Sequence, residues 1–275
     1  MKKKIIIIGK HSFIGSNLKK YLNKKKIKAI AVNYKDFIVK KNLYLKNYNI
    51  IINCSSNLRF VNNKYSLKYD HDTNIAKLLK NTNHKLIMIS TRKIYQAKYD
   101  IKENDKINPK CNYSKNKYKA ELSVLKILNN KVLILRTSNL IGMPINNKKK
   151  LHKTFVDVFF ENVKNGVIYE NNKDFKDFLH ISMFCKIVEK LINLDANGIY
   201  NLSLGKKVLL NELVGWLNYY NPIRPKINIL KSSSNKDNFT LNNRKLLKKI
   251  KIKINLSELK KKCLELSKIN FKYVK

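Results

Sequence analysis

The chain has 275 residues, 44% of them hydrophobic, enough for one large domain or two small ones and incompatible with a disordered chain. Its formal net charge is +41, yet only five of the 59 basic residues are arginine, so the charge reads as lysine spread over solvated surface rather than as a nucleic-acid interface built on arginine forks. Cys54, Cys111, Cys185 and Cys263 lack metal-ligand spacing, and no apolar run approaches a membrane span, so the expectation is a reduced, cytoplasmic protein with no metal and no membrane partner.

In chain order, "KKIIIIG" predicts a strand and "FIGSNLKKYLNKK" a helix; "IKAIAVN" and "YNIIINCSS" predict two more strands. "DTNIAKLLKNT" predicts a helix, "HKLIMIST" a fourth strand, "YSKNKYKAELSVLKILNN" a long helix and "KVLILRTSN" a fifth strand. Continuous apolar strands alternating with helices predict a Rossmann-type, doubly wound α/β fold, with a parallel sheet covered on both faces and ligands at the carboxyl ends of the strands. After Gly142 the rhythm changes to a basic loop, a helix ending at Gly166, a helix around Leu209–Tyr219 and two terminal helices. This divides the chain into a dinucleotide-binding domain at 1–142, with a returning segment near 176–201, and a smaller substrate-binding domain at 143–275.

Three stretches carry chemistry. Gly9 and Gly15 flank a strand–turn–helix that suits a pyrophosphate at a helix N-terminus, where the hydroxyl of Ser12 could donate to a phosphate oxygen; an ordinary strand–turn–helix is the alternative. Tyr113 and Lys117 share a helix face at i, i+4 spacing, and a neighbouring ammonium favours a phenolate that can exchange a proton with a sugar oxygen. In so lysine-rich a helix the pairing also arises by chance. Ser90 and Thr91 end the fourth strand, where a hydroxyl could share the same oxygen, or could be a plain strand end.

With "VLILRTSNLIG", "DFKDFLHISMF", "GIYNLSLGKKVLLNELV" and "LNNRKLL" following in order, the chain resembles the extended short-chain dehydrogenase/reductases, the NAD-dependent epimerase/dehydratase family, over nearly its whole length. In size it is nearest the dTDP-4-dehydrorhamnose reductase-like members. The resemblance implies an NAD(P)-dependent enzyme that moves a hydride at a carbon of a nucleotide-diphosphate sugar, as an epimerase or 4-keto reductase, in surface-polysaccharide sugar biosynthesis; a homodimer is open. It implies that Gly9, Ser12, Phe13, Ile14 and Gly15 form the pyrophosphate loop, that Ser55 contacts the cofactor, and that Thr91, Tyr113 and Lys117 are catalytic, with Tyr113 as acid/base and Lys117 also on the ribose. Asn74 matches a structural or proton-relay asparagine. Asn139 matches a position near the sugar-nucleotide diphosphate, and Lys176 a basic substrate-side residue or else a solvated lysine.

The departures shape the expectation. Ser12 replaces the middle glycine, and Asn33 stands where an acid would hold the adenosine 2′-hydroxyl, with Lys10, His11 and Lys35 near enough for a 2′-phosphate; this favours NADP over NAD. Arg92 and Lys93 follow Thr91 in place of the carboxylates of the family's dehydratases, which argues against 4,6-dehydration. His152 in the basic loop is a candidate substrate contact, whereas His71, His84 and His180 read as structural or surface residues. The alternative function is a fold that serves only as a binding or assembly protein.

Overall fold

The computed structural model describes residues 3–145, 153–171, 173–223, 226–229 and 237–272. Its first half runs β1 (Ile5–Ile8), α1 (Phe13–Lys24), β2 (Ala29–Val32), the short helices α2 (Tyr34–Val39) and α3 (Lys41–Asn47), β3 (Ile50–Asn53), α4 (Leu58–Asn62), α5 (His71–Leu79), β4 (Lys85–Thr91), α6 (Asn112–Leu128) and β5 (Val132–Thr137). The second half runs β6 (Asn139–Ile141), α7 (Phe155–Lys164), β7 (Val167–Glu170), β8 (Phe175–Lys176), β9 (Phe178–His180), α8 (Ile181–Asn193), β10 (Gly198–Leu202), β11 (Val208–Leu209), α9 (Leu210–Asn218), β12 (Lys226–Ile229), α10 (Arg244–Ile250) and α11 (Leu256–Phe271).

The central sheet has six strands in the order β10-β5-β4-β3-β1-β2, every pair parallel. Side chains of a strand alternate between faces, so the four isoleucines of β1 divide. Ile5 and Ile7 pack with Leu18 and Leu22 of α1 and with α8 and α10. Ile6 and Ile8 pack with Phe37, Phe60 and the inner faces of α5 and α6. All four are wholly buried, and each contributes about 1.5–3 kcal/mol of burial. This double cover is why the strands read as unbroken apolar runs. The fold is the Rossmann-type α/β architecture expected from the sequence.

A smaller core joins α7, α9 and α11 to β6, β7 and β9, centred on Phe159, Phe178, Leu213 and Leu259. Gly166 follows α7 with φ +73, the left-handed cap conformation. Asp177 is buried and pins this region: its carboxylate accepts from the backbone N–H groups of Leu204, Gly205 and Leu241 at 3.0–3.1 Å. Among the described residues no helix is long and apolar enough to cross a membrane, and no cluster of three or more His, Cys, Asp or Glu is arranged to hold a metal ion.

Candidate active site

A cleft of about 520 Å³ opens at the carboxyl ends of β1, β2, β3 and β4, where a doubly wound sheet places its ligands. Its glycine loop is fixed by backbone contacts. Gly9 has φ +113, and a Cβ there would lie 2.8 Å from the carbonyl carbon of Cys54; a Cβ on Gly15 would lie 2.4 Å from Gly9 O. Neither position tolerates a side chain. Ser12 is extended, at φ −70 and ψ 151, so it needs no glycine. Its hydroxyl donates to Gly9 O and accepts from Gly15 N, both at 2.9 Å, and so caps α1. The hydroxyl expected to donate to a phosphate oxygen is engaged in this cap. Phe13 and Ile14, in the first turn of α1, line the cleft, and first-turn N–H groups of a helix have no intrahelical acceptor and favour an anion.

Tyr113 and Lys117 reach the same cleft from α6. The side chains of Tyr113 and Thr91 are hydrogen-bonded, and Thr91 Oγ1 also accepts from Lys93 N at 3.2 Å. Lys117 is 5% exposed; its Nζ donates to Asp72 Oδ2 at 2.8 Å and to Ile89 O at 3.0 Å. Burial raises the Tyr113 pKa above its ordinary value; the Lys117 charge and the Thr91 bond pull it down without cancelling the burial, and Asp72 adds to the rise. The expected lowering by Lys117 is therefore present but outweighed. Burial disfavours the Lys117 ammonium, but the Asp72 carboxylate overrides it and lifts its pKa.

From Asp72 a chain of polar groups runs to the far wall of the cleft. A carboxylate only accepts, so Asn53 must present its Nδ2, which donates to Asp72 Oδ1 at 2.6 Å. Asn53 Oδ1 then accepts from Ser55 N at 3.0 Å and Ser55 Oγ at 2.7 Å. With its proton committed, Ser55 Oγ can only accept from His71 Nδ1, 2.9 Å away. Burial lowers the His71 pKa to about 4, so its ring is neutral and carries the proton on Nδ1. His71 stacks on Tyr34, with ring centroids 3.5 Å apart and planes 6° from parallel.

Of the residues singled out in the sequence, Gly9, His11, Ser12, Phe13, Ile14, Asn33, Ser55, Tyr113 and Lys117 border the cleft together. Asn139 and Lys176 do not border it among the described residues: Asn139 begins β6, its N–H bonded to Asp177 O at 3.2 Å, and Lys176 pairs with Asp237 at 3.0 Å. His152 lies outside the described residues. Asn74 turns its amide to Leu67 O at 3.0 Å, outside the cleft; the side chain that meets Lys117 is Asp72. His71 is a wall of the cleft rather than a bland structural histidine, and Tyr34, Asn53, Cys54, Lys153 and Thr154 join it. Arg92, buried beside Thr91, forks onto Asp237 and stacks over Phe239 at 3.9 Å.

A six-stranded parallel sheet, a glycine loop capping onto α1 and a Tyr–Lys pair on α6 beside a strand-end threonine define an extended short-chain dehydrogenase/reductase fold. The chain belongs to the family described as the RmlD substrate binding domain, whose model matches residues 2–172. Solved structures agree in fold. A dTDP-glucose 4,6-dehydratase from Bacillus anthracis, in complex with NAD, matches with TM-score 0.80 at 16% identity, over 98% of this chain and 97% of that one. A dTDP-4-dehydrorhamnose reductase from Clostridium acetobutylicum matches with TM-score 0.77 at 18% identity, over 97% and 99%. A UDP-N-acetylglucosamine 4-epimerase from Methanobrevibacter ruminantium matches with TM-score 0.77 at 21% identity, over 98% of each chain. No curated protein matches the chain.

Proposed function

We propose that the protein is an NAD(P)-dependent oxidoreductase of nucleotide-diphosphate sugars, working as a 4-keto reductase. The observation that carries this reading is the meeting of Tyr113 and Lys117 in the same cleft as the glycine loop, with Thr91, which does not itself border the cleft, bonded to Tyr113 from the end of β4. The family membership and the names of the solved relatives, a dehydratase, a reductase and an epimerase of nucleotide sugars, support the substrate class. Arg92 and Lys93 follow Thr91, so no carboxylate stands there to expel water from a sugar, which disfavours dehydration.

A bound nicotinamide dinucleotide would supply the hydride. The residues present fit such a group: the glycine cradle leaves backbone room, and the α1 N-terminus favours a pyrophosphate. The B. anthracis relative holds NAD, and the structure of RMD from Pseudomonas aeruginosa holds NADPH. For this chain NADP(H) is the proposed preference, because Asn33 is neutral and the backbone of Lys10 is bonded to Val32 O at the end of β2. Thr91 orients the sugar oxygen, Tyr113 gives it a proton, and Lys117, with two of its three N–H donors engaged within the protein, keeps one for a ribose hydroxyl.

The test mixes the purified protein with NADPH and a panel of 4-keto nucleotide sugars and follows loss of the dihydronicotinamide absorbance. Tyr113→Phe should lower turnover about 10²–10⁴-fold, the usual contribution of general acid catalysis, with dinucleotide binding intact. Tyr118→Phe is the control, since Tyr118 packs against Ile94 and Phe239, away from the cleft. Equal turnover by the two variants would refute the assignment. Failure to bind either dinucleotide would favour a non-catalytic binding or assembly role.

A further inference from the structure

The Asp72–Lys117 pair is buried on both sides, with side-chain exposures of 3% and 6%. A buried ion pair is a poor device for stability, because removing two charges from water offsets most of their attraction. This pair lies within the site, and its carboxylate is held in place by Asn53. We propose that Asp72 is a positioning residue: its carboxylate draws the Lys117 ammonium toward α5 and offsets the ammonium's field at Tyr113, so that the tyrosine enters the reaction as a protonated donor and the site favours carbonyl reduction. The proposal rests on the reading of Tyr113 as the acid.

The charges around Tyr113 are few. Lys117 and Cys111 face it from α6 and its N-cap, Asp72 from α5, and the Thr91 hydroxyl from β4. Asp70 acts on Lys117 in turn, Asp72 and Lys117 act on Cys54 and on His71, and Asp72 acts on Asp70; Lys153 lines the cleft. With Asp72 ionised, the nearest cation is already neutralised by a partner at 2.8 Å. An epimerase or dehydratase begins by oxidising an alcohol, for which the tyrosine must already be a phenolate; a reductase needs the opposite state. As the carbonyl carbon takes the hydride, its oxygen takes the proton from Tyr113 Oη, and the phenolate left behind regains a proton from solvent.

The experiment titrates Tyr113 directly in the intact protein, by NMR of ring-labelled tyrosine, with its signal assigned by Tyr113→Phe. In the wild type the midpoint should lie above the ordinary value of about 10. In Asp72→Asn, an isosteric change that removes the charge and one of the two acceptor oxygens, it should fall by about one unit or more. The alkaline limb of the turnover profile should move down with it. An unchanged midpoint in a folded Asp72→Asn protein overturns the proposal. Should that variant fail to fold, Lys117→Met is compared with the double variant Asp72→Asn/Lys117→Met, which leaves no unpaired charge. A lower midpoint in the double variant supports the proposal, and equal midpoints overturn it. A shifted midpoint without turnover on any nucleotide sugar would refute the proposed function while upholding the effect of Asp72 on Tyr113.

Discussion

The hydroxyl of Ser12 accepts the N–H of Gly15 at 2.9 Å while donating to Gly9 O, and so links the two glycines of the loop through one side chain. A middle glycine would leave that N–H to solvent or ligand. Ser12→Ala removes the cap at a cost of about 1 kcal/mol, whereas Ser12→Gly should cost only a few tenths. Urea denaturation should therefore rank wild type, Gly and Ala in falling stability. Both variants should still bind dinucleotide, since the phosphate-facing groups belong to the backbone. A collapse of binding in Ser12→Gly with stability kept would show that the hydroxyl reaches the ligand after all.

The elements that the sequence makes legible are those whose pattern is local. β1 shows as a run of isoleucines because both its faces are covered, and α6 shows its Tyr113–Lys117 pair because one helical turn brings them together. The short helices α2, α3 and α4, of five to seven residues, are too brief to display a period. The two- and three-residue strands β6, β8, β9 and β11 exist only through pairing with distant partners. Asp72 is separated from Lys117 by 45 residues, so no spacing announces it. The resemblance points instead to Asn74, two positions on. At roughly 100° per residue, two positions turn a side chain about 200° around the helix, which is why Asn74 faces Leu67 while Asp72 faces Lys117.

Glu121 lies one turn beyond Lys117 and holds Arg136 of β5 through bonds of 3.1 Å from Nε and 2.7 Å from Nη2, while also accepting from Ser90 of β4. Both partners are buried, at 1% and 4% exposure. This pair sets α6 against β5, and the Ser90 bond sets it against β4, the register that joins Tyr113 to Thr91. Glu121→Ala should leave an unpaired buried guanidinium and cost about 3–5 kcal/mol, whereas Glu121→Leu/Arg136→Met should recover most of it. Denaturant midpoints of Glu121→Leu, Arg136→Met and the double variant give the coupling. Additive losses would mean that the pair is not the unit holding that register.

Cofactor preference should turn on Asn33. Its amide, at the end of β2, donates to Asp36 at 3.2 Å and presents no charge of its own to the cleft. Asn33→Asp adds a carboxylate able to accept a ribose 2′-hydroxyl and to repel a 2′-phosphate. Two unit charges about 4 Å apart interact by about 1 kcal/mol in water and by more when partly desolvated, so the ratio of NADH to NADPH affinity should rise about tenfold. Fluorescence titration of both dinucleotides measures it. An unchanged ratio would place the adenosine ribose away from Asn33.

Stability should fall on mild acidification through two histidines. Burial lowers the pKa of His71 and of His180 from 6.5 to about 4; the Lys262 charge acts with burial on His180, and Lys117 on His71, while Asp72 opposes at His71 and Glu265 at His180. A lower folded pKa means that the unfolded chain binds more protons between about pH 6.5 and 4, so the folded state loses ground as pH drops through that window. A full shift of this size corresponds to about 3 kcal/mol or slightly more for each histidine, as an upper limit. Asp237 acts in a separate window. Burial opposes its ionisation, but Arg92 and Lys176 hold its pKa down to about 2, so its stabilisation is lost only as pH falls below about 3.8. Asp177 opposes the histidines, because burial lifts its pKa to about 7 and the folded state gains protons there as pH drops, so the histidine part is read as the difference between wild-type and variant urea midpoints from neutral pH down to about pH 4.5. They should decline less in His180→Asn, and least in the double variant with His71→Asn. His180→Asn keeps a polar side chain beside Ser182, to which His180 Nδ1 is bonded at 2.7 Å, so its loss at neutral pH should be small. If the double variant shows the wild-type slope, the acid sensitivity arises from groups other than these two rings.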